Sequence, residues 1–153
     1  ESDAKILSIK VLSGTGGFLA ESEVINAIRS AHARYGVQIF TLTVGYDDAK
    51  IYNDTVSEYA YALDILTWEL NILIFISSGN NKKLSYFDGQ HDILPIYPQH
   101  FDEESANICS PAESFNNLPI GSVAGHFENN DVYIISPDGF HTSSYTSKFH
   151  INW

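Results

Sequence analysis

Four groups of residues have the types and spacing to do chemistry. Ser77-Ser78-Gly79-Asn80-Asn81 follows directly on the apolar run Ile72 to Ile76. A primary amide at the end of a strand can donate hydrogen bonds to a bound group. The same Gly-Asn-Asn is equally good turn chemistry. Gly14-Thr15-Gly16-Gly17 could cradle a phosphate, with Asp47 or Asp48 placed to meet a ribose. That fingerprint needs Gly-x-Gly-x-x-Gly opening a helix, and Leu19 stands where the third Gly belongs. His91, Asp92, His100, Asp102, Glu103 and Glu104 could together hold a metal, and their carboxylates could take calcium. Their spacing fits no metal site, and a solvated acidic loop is the simpler account. Cys109 is the single cysteine and reads as a small buried hydrophobe.

Composition narrows the choice. The chain has 153 residues, 44 % hydrophobic and 18 % charged, with nine Tyr, nine Phe and two Trp. A chain of this size buries roughly 70 % of its unfolded surface, so it needs no disulfide or metal to fold. One Cys excludes an intrachain disulfide and a multi-cysteine zinc site. Eight Lys and Arg against nineteen Asp and Glu give a net charge of −11. Nucleic-acid and anionic-membrane partners are therefore not expected, since both are bound through Lys and Arg. No apolar run approaches the ~20 residues of a membrane span. No signal peptide opens the chain, and there is no Met, so it reads as an excised piece of a longer protein.

The elements that must position these residues alternate. Lys5 to Leu12 reads as a strand. Ser22 to Tyr35 reads as a helix, with Val24, Ile28, Ala31 and Tyr35 on one face, Ser22 as cap and Gly36 as stop. Val37 to Val44 is β-branched and aromatic, hence a strand. Thr55 and Glu58 form a capping box before an amphipathic helix bearing Tyr59, Ala62, Leu63, Leu66 and Leu70. Trp68 adjoins that face and is expected to pack. Asn71 tolerates the left-handed conformation that ends it. Ile72 to Ile76 is apolar at every position, as in a parallel strand covered on both faces. The order implies an α/β fold, three-layer α/β/α with a mostly parallel sheet, as one domain. Leu118 to Ala124 is a candidate fourth strand, and Val132 to Tyr145 a candidate hairpin. Residues 81–105, with two Pro, two His and no sustained period, read as a long loop or a small excursion.

In this order and spacing the chain resembles the middle of the subtilisin-like serine proteases. AKILSIKVL, a Gly-rich turn and a helix with VINAI come first. VQIFTLTVG, an amphipathic helix and NILIFISSGNN follow. The family has a strand of the type AKLYAVKVL, a strand ending near Ser-Leu-Gly, and a Val-rich strand ending in Ala-Gly-Asn. The matching ends here are Thr43-Val44-Gly45 and Ser78-Gly79-Asn80, and Asn71 stands where the family usually has Gly. SPAESFNNLPIGSV, residues 110–123, is similar to the family's Tyr-Pro-Ala…Val-Gly-Ala stretch, and Ser144 to Ser147 weakly to Ser-Phe-Ser-Ser. Residues 81–105 would be an insertion.

The resemblance implies an incomplete subtilisin-like domain whose parent hydrolyses peptide bonds through an acyl-enzyme. His-Gly-Thr-His and Gly-Thr-Ser-x-Ala do not occur in the chain. The Asp, His and Ser of the triad would lie outside it, and the isolated chain is expected to be inactive. Asn80 would be the side-chain donor of the oxyanion hole. Thr43, Val44 and Gly45 would pair with a substrate strand, and Ser77, Ser78 and Gly79 would line the pocket for the residue before the cut. A secreted or periplasmic home is implied by the resemblance alone. Cutting the sheet beside Lys5 to Leu12 would leave an apolar edge, so a homo-oligomer is expected. Two other classes stay open. A peptide- or protein-binding pseudoenzyme would lack the triad in the parent, and a nucleotide-binding module would use Gly14 to Gly17. No Gly-x-Ser-x-Gly elbow supports an α/β-hydrolase.

Overall fold

A computed structural model describes residues 3–12, 20–51, 54–80, 86–87, 92–93, 98–124, 141–143 and 146–148. Helix α1 spans Glu21–Tyr35. Val24, Ile28 and Ala31 recur on one face and are buried, as their spacing requires. Tyr35 is not on that face in effect: it is exposed at the last turn. Ser22 does not cap the helix. Ala20 occupies the cap position, and Glu23 reaches back to accept from the Ala20 N–H at 3.2 Å. Glu21 and Glu23 at the start and His32 and Arg34 at the end also suit the helix dipole. Gly36 stops the helix at φ +66°, a conformation glycine adopts without cost.

Strand β1, Ile39–Leu42, is shorter than the apolar run that contains it. Helix α2, Glu58–Leu70, follows it. Its cap is Ser57, whose hydroxyl accepts from the Ala60 N–H at 3.1 Å, so the Thr55–Glu58 capping box is not formed. Tyr59, Leu63 and Leu66 are buried, and Asn71 ends α2 at φ 52°, ψ 52°. Trp68 does not pack; it is 81 % exposed. Strand β2 is Leu73–Ser77. A short antiparallel pair, β3 (Tyr86–Phe87) and β4 (Asp92–Ile93), and two 3₁₀ turns at Gln99–Asp102 and Glu104–Ala106 lie within residues 81–106. That stretch therefore holds more regular structure than a plain loop. Strand β5, Leu118–Ile120, supplies the fourth strand expected from sequence.

The main sheet has the order β1-β2-β5 and is parallel throughout. This is an α/β fold. Phe40 pairs with Ile74 and Leu42 with Ile76, and all four point into one core with Val24, Ile28, Tyr59, Leu63 and Leu66. Both helices thus cover the same face. Arg29 of α1 and Glu69 of α2 form an exposed ion pair across their junction. The opposite face carries Ile39, Thr41, Leu118 and Ile120, all exposed, so the alternating burial of β2 is half-covered rather than covered on both sides. A second helical layer is not among the described residues.

The Lys5 to Leu12 segment forms no strand over residues 5–11, and Leu12 makes an isolated β-bridge. Ile9 and Val11 pack partly against the core, and Ile6 is 96 % exposed. Residues 132–140, the greater part of the candidate hairpin, lie outside the described residues.

Tyr59 has a specific consequence for stability. Its ring is edge-on to Tyr46, with centroids 6.5 Å apart, and its hydroxyl is buried with no hydrogen-bond partner among the described residues. Burial pushes the phenol well above its ordinary value, and the negative charge of Glu21 adds to this. A raised folded value means stability is fully present below the unfolded value of about 10 and falls as pH climbs past it, by up to about 1.4 kcal/mol per unit. Tyr59→Phe removes the unpartnered hydroxyl. It is expected to be neutral or stabilising by up to about 1 kcal/mol at pH 7. It should also lose less stability than wild type between pH 9 and 11. Urea midpoints at these pH values check both; an equal alkaline loss in the two proteins would count against a buried neutral Tyr59.

Candidate functional site

Ligands of open α/β sheets bind at the carboxyl ends of the parallel strands, where side chains and loop backbone converge. Here that end holds a cleft of about 600 Å³. Thr41 and Thr43 come from β1 and its continuation, Phe75 to Asn80 from β2 and its continuation, and Ile120 to Ser122 from β5 and its continuation. Thr41, Phe75, Ser77 and Ile120 belong to the sheet face that α1 and α2 leave uncovered, so the cleft opens on that side.

Five of the seven residues singled out from sequence line this cleft together: Thr43, Ser77, Ser78, Gly79 and Asn80. Val44 and Gly45 do not. Val44 turns against the core. Gly45 is pressed onto the Ser110–Pro111 backbone, where a Cβ would lie 2.8 Å from the Ser110 carbonyl oxygen. The Tyr46 N–H donates to that same oxygen at 2.8 Å. The backbone after Thr43 is thus anchored at Tyr46 on the Ser110 carbonyl, while Gly45 itself stays exposed.

Gly79 makes the turn that brings Asn80 to the surface. Its φ of +106° is a region closed to L side chains, and a Cβ there would stand 2.7 Å from the Cys109 Sγ. Ser77 Oγ accepts from the Gly79 N–H at 3.4 Å, and the Ser78 carbonyl accepts from the Cys109 N–H at 3.0 Å. Ser78 is buried and Asn80 is exposed. Cys109 packs behind the cleft wall as the sequence led one to expect. Burial pushes its thiol above the ordinary value, with Asp47, Asp48 and Glu113 acting in the same direction, so it is not an activated nucleophile.

One residue that sequence reasoning missed organises the loop that leads into β5. Asp64 lies on the buried side of α2, at 6 % exposure. Its carboxylate accepts from Ser114 Oγ (2.5 Å), the Phe115 N–H (3.0 Å), the Asn116 N–H (2.7 Å) and Asn117 Nδ2 (3.3 Å). Thr67, one turn on, donates to Asn117 Oδ1 at 2.7 Å. These bonds pin residues 114–117 to α2 immediately before β5 begins, and so fix where Ile120 and Gly121 enter the cleft. The signal was an aspartate amid the apolar stripe Tyr59, Leu63, Leu66, opposite a Ser-x-Asn-Asn. A parallel lock ties the start of α2 down: Glu113 accepts from the Ser57 N–H at 3.1 Å and pairs with Lys50 at 3.7 Å.

Among the described residues the other candidates do not converge. Gly14 to Gly17 and His91 lie outside the described residues. Asp92 is part of β4. His100 is buried with its ring 4.1 Å from that of Phe101, while Asp102, Glu103 and Glu104 are exposed. Asp47 and Asp48 are exposed in the loop after Gly45. Among the described residues no group of three or more His, Cys, Asp and Glu could hold a metal ion, and no helix is long and apolar enough to cross a membrane.

No family model matches the chain, and no solved structure matches it. An uncharacterized protein, y4bN, of Sinorhizobium fredii (strain NBRC 101917 / NGR234) is 27 % identical over 104 residues, which is 67 % of this chain. The matched stretch spans about a quarter (24 %) of that protein's length.

Proposed function

We propose that this chain is the central segment of a subtilisin-like serine endopeptidase domain, and that Asn80 is the side-chain donor of its oxyanion hole. The observation that carries this is the cleft at the strand ends, into which Thr43, Ser77, Ser78, Gly79 and Asn80 converge. Asn80 stands on a glycine turn at the mouth of a parallel strand, with its amide at the surface rather than tied into the core. A donor held this way is in place before charge develops, which is what makes such a group effective. The cleft would take an extended peptide, main chain against strand ends and side chain into the pocket. Because Val44 packs against the core and neither Val44 nor Gly45 lines the cleft, the peptide's contact on the β1 side is confined to Thr43 and the strand itself. Nucleophile and base come from outside these residues.

The test is peptide hydrolysis by the whole protein and by this chain separately. We expect turnover from the whole protein and none from the chain. Binding without turnover by the whole protein would make it a pseudoenzyme, and turnover by the purified chain would overturn the assignment. Self-association belongs to the same proposal. Its edge is β1, one of the two outermost described strands, beside which residues 5–11 form no strand.

A further inference from the structure

We propose that Thr146 is a positioning residue that sets the width of the cleft and holds Asn80 in register. The inference rests on the cleft being the ligand site. Thr146 is 4 % exposed, yet it is part of the cleft lining. Its hydroxyl sits where three separate segments meet. Thr146 Oγ1 accepts from the Ser122 N–H at 3.1 Å, on the continuation of β5. It lies 3.3 Å from Ser78 Oγ, on the continuation of β2. Its backbone pairs antiparallel with Asn80. The segment 146–148 is held in turn by the Ser147 N–H, which donates to the Gly79 carbonyl at 3.4 Å, and by the Lys148 N–H, which donates to the Ala106 carbonyl at 2.7 Å.

Two parallel strands share ladder bonds only as far as their ends. Beyond Ser77 and Ile120 the chains are free to diverge, and the Ser78 N–H to Ile120 carbonyl bond at 2.9 Å closes the ladder. Beyond that bond the Thr146 hydroxyl reaches both continuations, at Ser78 Oγ and at the Ser122 N–H. Gly121 shows how tightly that contact is drawn: a Cβ there would lie 2.9 Å from Thr146 Oγ1. Thr146 is β-branched and bonded on its oxygen, so it cannot rotate away to make room. The hydroxyl therefore acts as a spacer of fixed length between the wall that carries Asn80 and the wall formed by Gly121 and Ser122. It touches neither reacting atoms nor a leaving group; its effect passes through Asn80 and Ser122.

Thr146→Val keeps shape and removes the oxygen, leaving the Ser122 N–H without its acceptor; Thr146→Ser restores the oxygen. The first readout uses the ¹⁵N-labelled chain. We expect faster hydrogen exchange at the Ser122 amide and broadened Asn80 side-chain amide signals in Thr146→Val, and wild-type behaviour in Thr146→Ser. The second readout is binding of an acetylated, amidated Ala/Leu hexapeptide to the chain. A loss of about tenfold in Thr146→Val, recovered to within about threefold in Thr146→Ser, is expected for one buried donor left unpaired. Equal behaviour of the two variants in the exchange and amide signals overturns the positioning role. If wild type binds no peptide, the ligand assignment of the cleft fails, and the exchange and amide signals still decide whether Thr146 sets the junction.

Discussion

Replacing Asn80 with Ala in the whole protein is expected to lower kcat about 100- to 1000-fold against a peptide substrate, the range for an oxyanion donor in a subtilisin. KM should move by less than about threefold, because the bond is made to charge that exists only in the transition state. Folding should be untouched. Asn80 is exposed and lies beyond the last ladder residue of β2, so no packing is lost with its amide. The stability change should stay within about 0.5 kcal/mol, as for other surface substitutions. Steady-state kinetics together with a urea titration separate the two effects. A fall in kcat below tenfold, or a fall matched by a rise in KM, would mean that the amide binds ground-state peptide or merely ends a strand.

Asp64→Ala should lower stability by at least about 3 kcal/mol. Four donors converge on that carboxylate: Ser114 Oγ, two backbone N–H groups and Asn117 Nδ2. Removing it strands them in a region where Ser114 and Asn117 are themselves buried. Hydrogen bonds to a charged group contribute about 1.5–3 kcal/mol, and an unsatisfied buried partner costs a similar amount. Domains of this kind are stable by only about 5–15 kcal/mol, so the variant should unfold at a much lower urea concentration. Asp64→Asn keeps one acceptor oxygen and should lose about half as much, while Ser114→Ala, which deletes one of the four bonds, should lose about 1 kcal/mol. A midpoint for Asp64→Ala within error of wild type would show that the 114–117 loop is held by something other than this carboxylate. In the whole protein the same variant should raise KM, since the loop sets the entry of β5 into the cleft.

The parts legible in the sequence are those where local pattern and tertiary demand agree. Ile72 to Ile76 reads as a strand and Asn71 as a residue that tolerates a left-handed stop; β2 and the Asn71 conformation agree, although β2 is covered on one face and not on both. The buried faces of α1 and α2 followed from spacing at Val24, Ile28, Ala31 and at Tyr59, Leu63, Leu66. Caps were less legible because several residues compete within one turn. Ser57 lies two positions from Thr55, and it wins because its backbone N–H is also held by Glu113, fifty-six residues on. Lys5 to Leu12 has the composition of a strand but finds no partner among the described strands, and without one an apolar run has no ladder to join.

The cleft was read one strand at a time, and there the sequence divides. Ser77 ends β2 and residues 78–80 follow it, and their roles come only from the resemblance. Val44 and Gly45 were carried along with Thr43, but their orientation is decided by Ser110 and Pro111, sixty-five residues away. Asp64 and Thr146 were missed for the same reason. A polar residue within an apolar stripe, or a threonine in a run of Ser and Thr, has no local signature until its partners are in place.

The most direct test is an NMR titration of the ¹⁵N-labelled chain with an acetylated, amidated extended peptide of Ala and Leu. We expect saturable shifts at Thr43, Ser77 to Asn80 and Ile120 to Ser122, including the Asn80 side-chain amide, with none at Val44, Gly45 or the outer face of α2. Shifts confined to Trp68 and its neighbours, or no shift at millimolar peptide, would contradict a peptide cleft at the strand ends.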